Sequence, residues 1–206
     1  MPRNGVSGAM DLVVGTRNTH KLDELTRILS PLIPALVLHP AAGEAPVEDG
    51  ETFRDNALIK ARAAHQESSL PAIADDSGIE VTALGGAPGI HSARYAGTGD
   101  DGDNTALVLH NMAGLSNRGA RFVCAAALVW SGGEIVIEQA WDGALAEAPT
   151  GAGGFGYDPI FIPQGQHCSA AELTRAQKDE LSHRGKAFRA LAAHIAKLES
   201  TTSKLE

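Results

Sequence analysis

Residues 122–130 and 134–144 form two long strand-like runs separated only by the Ser131-Gly132-Gly133 turn. A glycine turn between such runs is a hairpin signal. It forces antiparallel pairing into whatever sheet contains it. The rest of the chain alternates short apolar runs with helical periodicity, the pattern of a parallel α/β sheet. Both can be satisfied only by an α/β fold with a mixed sheet. Strands are expected at residues 11–15, 36–39, 71–75 and 160–162, the third short and ending in charge. A helix is expected over residues 20–30, capped by Asn18 or Thr19, with Leu22, Leu25, Ile28 and Leu29 at helical spacing. Thr52-x-x-Asp55 resembles a capping box and opens a helix to about Glu67. Residues 85–102 are turn-rich, and helices follow at 104–112, 169–181 and 183–198.

With 206 residues, 43% of them hydrophobic, the chain can build a core without disulfides or a structural metal. One domain over residues 11–199, split into two lobes, is the expectation. Residues 1–10 read as a disordered extension or tag remnant and residues 200–206 as a polar tail. The net charge of −8 argues against a sequence-independent grip on DNA or RNA. Cys124 and Cys168 lie far apart with no CxxC spacing, which fits a reducing cytoplasm. No run approaches the roughly 18–20 apolar residues that span a bilayer, so no membrane partner is expected.

Two literal G-x-G-x-x-G strings fail in context. Gly151-Ala152-Gly153-Gly154-Phe155-Gly156 runs on into Tyr157-Asp158-Pro159 and a strand, whereas a dinucleotide fingerprint opens a helix. Gly97-Thr98-Gly99-Asp100-Asp101-Gly102 follows no strand and sets two acids where a pyrophosphate would lie. No P-loop, H-E-x-x-H or G-x-S-x-G string occurs.

Four segments carry chemistry. Thr16-Arg17-Asn18-Thr19-His20-Lys21 joins strand to helix, where free N–H groups and the helix dipole favour a phosphate; an ordinary capped turn is the plainer reading. Asp75-Asp76-Ser77-Gly78 pairs two carboxylates, which repel unless a cation sits nearby. Mg²⁺ held by such acids plus substrate phosphates is the usual arrangement, and Glu48 or Asp49 could add another acid; an acidic turn is the alternative. Gly153-Gly154-Phe155-Gly156-Tyr157-Asp158-Pro159 sets an aromatic pair among glycines. Phe155 could stack on a base, or both rings could plug the core. Ser182-His183-Arg184-Gly185-Lys186, with Lys178 and Arg175 upstream, offers donors to a carbonyl edge or phosphate, or is a solvated basic helix start.

In this order the chain resembles the inosine triphosphate pyrophosphatase family, the Ham1-like non-standard purine NTP pyrophosphatases. The likeness runs from Leu12 to nearly Leu198. It is carried by Thr16 to Lys21, Thr52-Phe-Arg-Asp-Asn-Ala-Leu-Ile-Lys60, Ala72-Ile-Ala-Asp-Asp-Ser-Gly78, Gly85 to Tyr95, Gly153 to Pro159, and Ala171-Glu-Leu-Thr to Arg184. The resemblance implies an elongated mixed sheet flanked by helices, two lobes and a central substrate cleft. It implies a homodimer and Mg²⁺-dependent hydrolysis of ITP, dITP and XTP to the monophosphate and pyrophosphate, clearing them from the nucleotide pool. By it, Thr16, Arg17, Asn18, Thr19, His20 and Lys21 hold the triphosphate, with Lys60 helping. Asp76 is the catalytic acid/base and a metal ligand. Ser77, Phe155, Gly156, Tyr157, Asp158, Lys178, His183 and Arg184 contact substrate. One position departs from the pattern: where many relatives have a second metal-binding Glu three residues before the glycine, this chain has Val47, with Glu48 next. Glu48 is taken as the second ligand.

The chemistry of the residues agrees with that reading. Lys21 and Lys60 offset phosphate charge, and Asp76 or its neighbour Asp75 can orient a water. A 6-oxo purine presents an acceptor that Arg184 or backbone N–H groups can meet, whereas adenine presents a donor. A hydrolase of modified pyrimidine triphosphates and a catalytically silent nucleotide binder are the competing classes.

Overall fold

The computed structural model describes residues 9–202, with side chains described up to residue 198. Strand β1 (Met10–Val14) leads into helix α1 (Thr19–Leu29), then β2 (Leu36–Pro40), α2 (Phe53–Ser68) and β3 (Ala72–Val81). Helix α3 (Asp101–Asn111), the hairpin β4 (Gly119–Trp130) and β5 (Gly133–Leu145), β6 (Phe161–Pro163), α4 (Arg175–Leu181) and α5 (His183–Thr202) complete the order. The sheet has six strands in the order β2-β1-β3-β4-β5-β6. β1 pairs in parallel with β2 and β3, and the other neighbours are antiparallel. The expected mixed α/β sheet is what forms.

Local chemistry sets the helix starts. Asn18 Oδ1 accepts from the Lys21 N–H and caps α1. Thr52 Oγ1 accepts from the Asp55 N–H, while its hydroxyl donates to the Asp55 carboxylate, so the acid reaches the side chain of the cap. α1 and α5 cover one face of the sheet, where Leu25, Leu29, Phe188 and Leu191 pack on Leu12, Ile73 and Leu128. α2 covers the other, with Phe53, Ala57 and Ala61 against Ala74, Ala125 and Ala127. β4 is buried on both sides, and its alternate residues divide between these clusters, as the two-residue period of a strand requires. A third cluster, built on Ile79, Phe122, Trp141 and Phe161, lies toward the far end of the hairpin and receives Val108 of α3 and Met112, its C-cap. Each of these fully buried aromatic or aliphatic side chains contributes about 1.5–3 kcal/mol.

The structure departs from the sequence reading at several points. The third strand does not end at Asp75; β3 runs ten residues through Asp75-Asp76-Ser77-Gly78 and stays paired with β4 to Val81. The expected helix at 169–181 is broken, because Ser169 and Thr174 each cap a separate segment with Glu172 and Gln177 reaching back. Trp130 pairs with Gly133, so the hairpin turn is only two residues long. Ile160 closes a 3-10 turn and β6 starts after it. Met10, assigned to the extension, begins β1, and residues 200–202 of the expected tail continue α5. The rest of both expected end segments lies outside the described residues.

Candidate active site

The site exists because β1 stops early. Its last partner on β3 is Ile73, opposite Val14. Beyond that point β3 borders a cavity of about 720 Å³ with Asp76, Ser77 and Gly78. The chain leaves β1 through Gly15, where a Cβ would meet Lys60 O at 2.8 Å and Ala74 Cβ at 3.2 Å, so only glycine lets the turn lie this close to α2 and β3. Thr16, Arg17, Asn18, His20 and Lys21 then line the cavity. Thr19 does not. Two helix positions are about 200° apart, so the first residue of α1 points away when Lys21 points in.

The pleat of β3 sends Asp75 and Asp76 to opposite faces. Asp75 is wholly buried toward α1 and α5, and its Oδ2 receives Lys21 Nζ at 3.1 Å, Arg184 Nη2 at 3.1 Å and Ser77 Oγ at 3.1 Å. Burial opposes its charge, but Lys21, Arg184 and Lys60 outweigh burial and hold the carboxyl well below the usual range. It is a fixed anion that positions cations, and it does not line the cavity. Asp76 does. Lys60 Nζ donates to Asp76 Oδ1 at 2.8 Å and to Glu48 Oε2 at 2.9 Å. Burial pushes the Asp76 carboxyl up, against the pull of Lys60. Burial also opposes the Lys60 charge, but Asp76 and Asp75 more than offset it, so Lys60 remains an ammonium. Of the two acids, Asp76 is therefore the one able to meet a water in the cavity.

Val47 is 79% exposed, while Glu48 lines the cavity and shares one cation with Asp76. Two carboxylates already bridged by a positive group form a donor set suited to Mg²⁺, which takes one or two carboxylates and fills its sphere with phosphate and water. No cluster of three or more metal-ligating side chains occurs among the described residues. Substrate would have to supply the remaining ligands.

The opposite wall comes from α4, α5 and the glycine loop. Lys178 Nζ donates to Asp158 Oδ2 at 2.5 Å, lies 3.2 Å from Glu24 Oε1, and sits 4.5 Å from the Phe155 ring centroid. Arg184 spends Nε and Nη2 on Asp75, Nη2 again on Ser77 at 2.8 Å, and Nη1 on Glu24 at 2.5 Å. Its fork, expected to meet a carbonyl edge, is thus largely committed to protein partners. His183 stacks on Phe122 with centroids 4.7 Å apart and planes at 5°. Burial, with Arg184 and Lys178 nearby, pushes its imidazole well below the ordinary range, so it is neutral. Its Nδ1 is buried without a protein partner, and the residue lines the cavity. The two rings of the glycine loop separate. Tyr157 also lines the cavity but packs into the core with its hydroxyl donating to Ser92 O at 2.8 Å, while Phe155, between Gly154 (φ 72°) and Gly156 (φ 60°), is half-buried at the cavity. Asp158 Oδ2 accepts from the Phe155 N–H, and Asp101 Oδ2 accepts from the Gly156 N–H.

Glu24 and Asp101 were missed. Glu24 ties Arg184 and Lys178 together, and its signal was an acid four residues before Ile28 on the apolar stripe of α1. Asp101 looked like turn chemistry because its partner, Gly156, is 55 residues away.

The Ham1 family model matches residues 12–194. A Mycobacterium tuberculosis protein named dITP/XTP pyrophosphatase is 48% identical over 185 residues, covering 86% of this chain and 91% of its own. A Nocardia farcinica protein of the same name is 48% identical over 201 residues, covering 93% and 97%. The Staphylococcus aureus Ham1 protein structure superposes with a TM-score of 0.82 at 33% identity, over 91% of this chain and 98% of that one.

Proposed function

The chain belongs to the Ham1 family, and from that premise we propose that it hydrolyses the non-standard purine nucleoside triphosphates ITP, dITP and XTP to monophosphate and pyrophosphate. The observation that carries the reading is the Asp76–Lys60–Glu48 cluster on the cavity side of β3, beside the phosphate-type turn at Thr16–Lys21. Relatives at this identity are named for dITP and XTP, which supports the substrate class.

In the mechanism, the Asn18-capped start of α1 and Lys21 receive the phosphate tail, and Lys60 offsets charge near the bond that breaks. Asp76, raised by burial, orients a water and accepts its proton while pyrophosphate leaves. Asp76 and Glu48 would hold Mg²⁺, which supplies charge neutralisation to the triphosphate when bound. Phe155 offers a ring face to the base, and His183 offers an unpaired nitrogen to its edge. The same reading extends to a homodimer working in the cytoplasm. Both cysteines are free, and no helix among the described residues is long and apolar enough to cross a membrane.

Pyrophosphate release measured on ITP, dITP, XTP, GTP, ATP and dTTP, with Mg²⁺ and with EDTA, tests the proposal. Turnover concentrated on the first three and abolished by EDTA is the expected result. Preference for a pyrimidine triphosphate, or binding of ITP without turnover, would overturn it. Light scattering on the eluted protein tests the dimer.

A further inference from the structure

The phosphate-type turn carries one side chain that does not behave as a phosphate ligand. Lys21 turns inward to Asp75. His20, one helix position away and so rotated by about 100°, turns toward the glycine loop instead. Its ring lies 5.9 Å from the Phe155 ring, centroid to centroid, with the planes only 17° apart. Both rings line the cavity, and among the described residues the His20 ring makes no hydrogen bond or ion pair.

Two flat rings stacked nearly parallel at the wall of a cavity can open to take a third between them. A purine between them needs about 7 Å, two carbon contact distances of about 3.5 Å. The face-to-face gap of two rings cannot exceed their 5.9 Å centroid spacing, so the rings must part to admit a base. Both supports are firm enough to hold such a slot. His20 lies in the capped first turn of α1, and Phe155 is fixed by its own N–H on Asp158 and by the Gly156 N–H on Asp101. We infer that His20 is a base-stacking residue, the second wall of an aromatic clamp whose first wall is Phe155, and that it contacts the purine face and not the phosphates. The inference rests on the nucleotide reading of this cavity and deepens it.

The test compares the wild type with His20→Ala and His20→Phe in three measurements. These are steady-state hydrolysis of dITP, calorimetric binding of inosine monophosphate, and calorimetric binding of inorganic triphosphate, which has no base. Loss of one base–aromatic stack is expected to raise KM for dITP and Kd for inosine monophosphate by about tenfold in His20→Ala, with kcat nearly unchanged. His20→Phe restores both, because a ring is what the site requires. Inorganic triphosphate binds all three proteins alike. Unchanged inosine monophosphate binding in His20→Ala overturns the inference, and so does a parallel loss of inorganic triphosphate binding, which would put His20 on the phosphates. A wild type that releases no pyrophosphate while the binding pattern holds sinks the hydrolase reading and leaves the clamp standing.

Discussion

His183 and Arg184 are neighbours in sequence, yet burial treats them oppositely. His183 is held neutral against the Phe122 and Trp141 rings, with the positive charges of Arg184, Lys178 and Lys21 facing it and only Asp75 favouring its proton. The unfolded chain takes up that proton as pH falls through the ordinary value of 6.5, and the folded chain does not. Stability from this group is therefore complete above 6.5 and declines below it, by up to about 1.4 kcal/mol per pH unit. His183→Phe keeps a ring against Phe122 and removes the titration. Between pH 7 and pH 5, urea unfolding should show the variant gaining about 1–2 kcal/mol on the wild type. An identical acid loss in both proteins would show that His183 is not held neutral. Arg184, by contrast, keeps its charge because Asp75 and Glu24 more than offset its burial. Arg184→Ala leaves Asp75 with Lys21 and Glu24 with Lys178 as their remaining cations in the interior, and should lower unfolding free energy by about 3–5 kcal/mol. A loss below about 1 kcal/mol in urea titration would mean that the ion cluster contributes little. The same burial makes Arg184→Ala a poor probe of base choice, since stability fails before specificity can be read.

At the scale of elements, β3 is where sequence and structure part most, and the reason is the range of its partners. An apolar run that reaches Asp-Asp-Ser-Gly looks locally like a strand giving way to an acidic turn. The charges are instead held inside the sheet by Lys21, Lys60 and Arg184, the last of them 109 residues away. Helix starts were legible for the opposite reason: Asn18 and Thr52 bond within three residues, so their signal lies in the local string. The break before α4 is also written locally, in the back-to-back Ser169…Glu172 and Thr174…Gln177 boxes, which the sequence reading passed over. Among site residues, the glycine loop announced Phe155 by composition, but nothing local distinguished it from Tyr157. The close approach at Gly78 gives β3 its own prediction. A Cβ there would strike Ser92 Oγ and Gly89 O, the anchors that hold the 3-10 segment Gly89–Arg94 against Ile79. Gly78→Ala should cost about 1–3 kcal/mol, seen in calorimetry as a fall in Tm of about 3–10 °C. It should also lower kcat, because the displaced strand carries Asp76 two residues earlier. An unchanged Tm would show that the segment yields freely.

Across the whole molecule, the cavity gathers segments from most of the chain. Its walls are the start of α1, the α2 side of β3, and the glycine loop with α4 and α5. A ligand touching all of them binds only the assembled arrangement, so its binding energy adds to folding stability. A protein of net charge −8 can accept a polyanion only if its cations are gathered locally. Lys21, Lys60, Lys178 and Arg184 all converge here, each held by a buried or half-buried acid. Asp76→Asn separates binding from turnover. The amide still accepts from Lys60 but cannot serve as the base, and kcat should fall about 10²–10⁴-fold. The inactive variant can then be melted with intact dITP. At about 100 times Kd the ligand should add about 2.7 kcal/mol, raising Tm by about 5–10 °C. ATP at the same concentration should raise it less, because its 6-amino group offers a donor where a 6-oxo purine offers an acceptor. Equal shifts for the two nucleotides would place selection in the chemical step, and no shift with either would remove nucleotide from this cavity altogether.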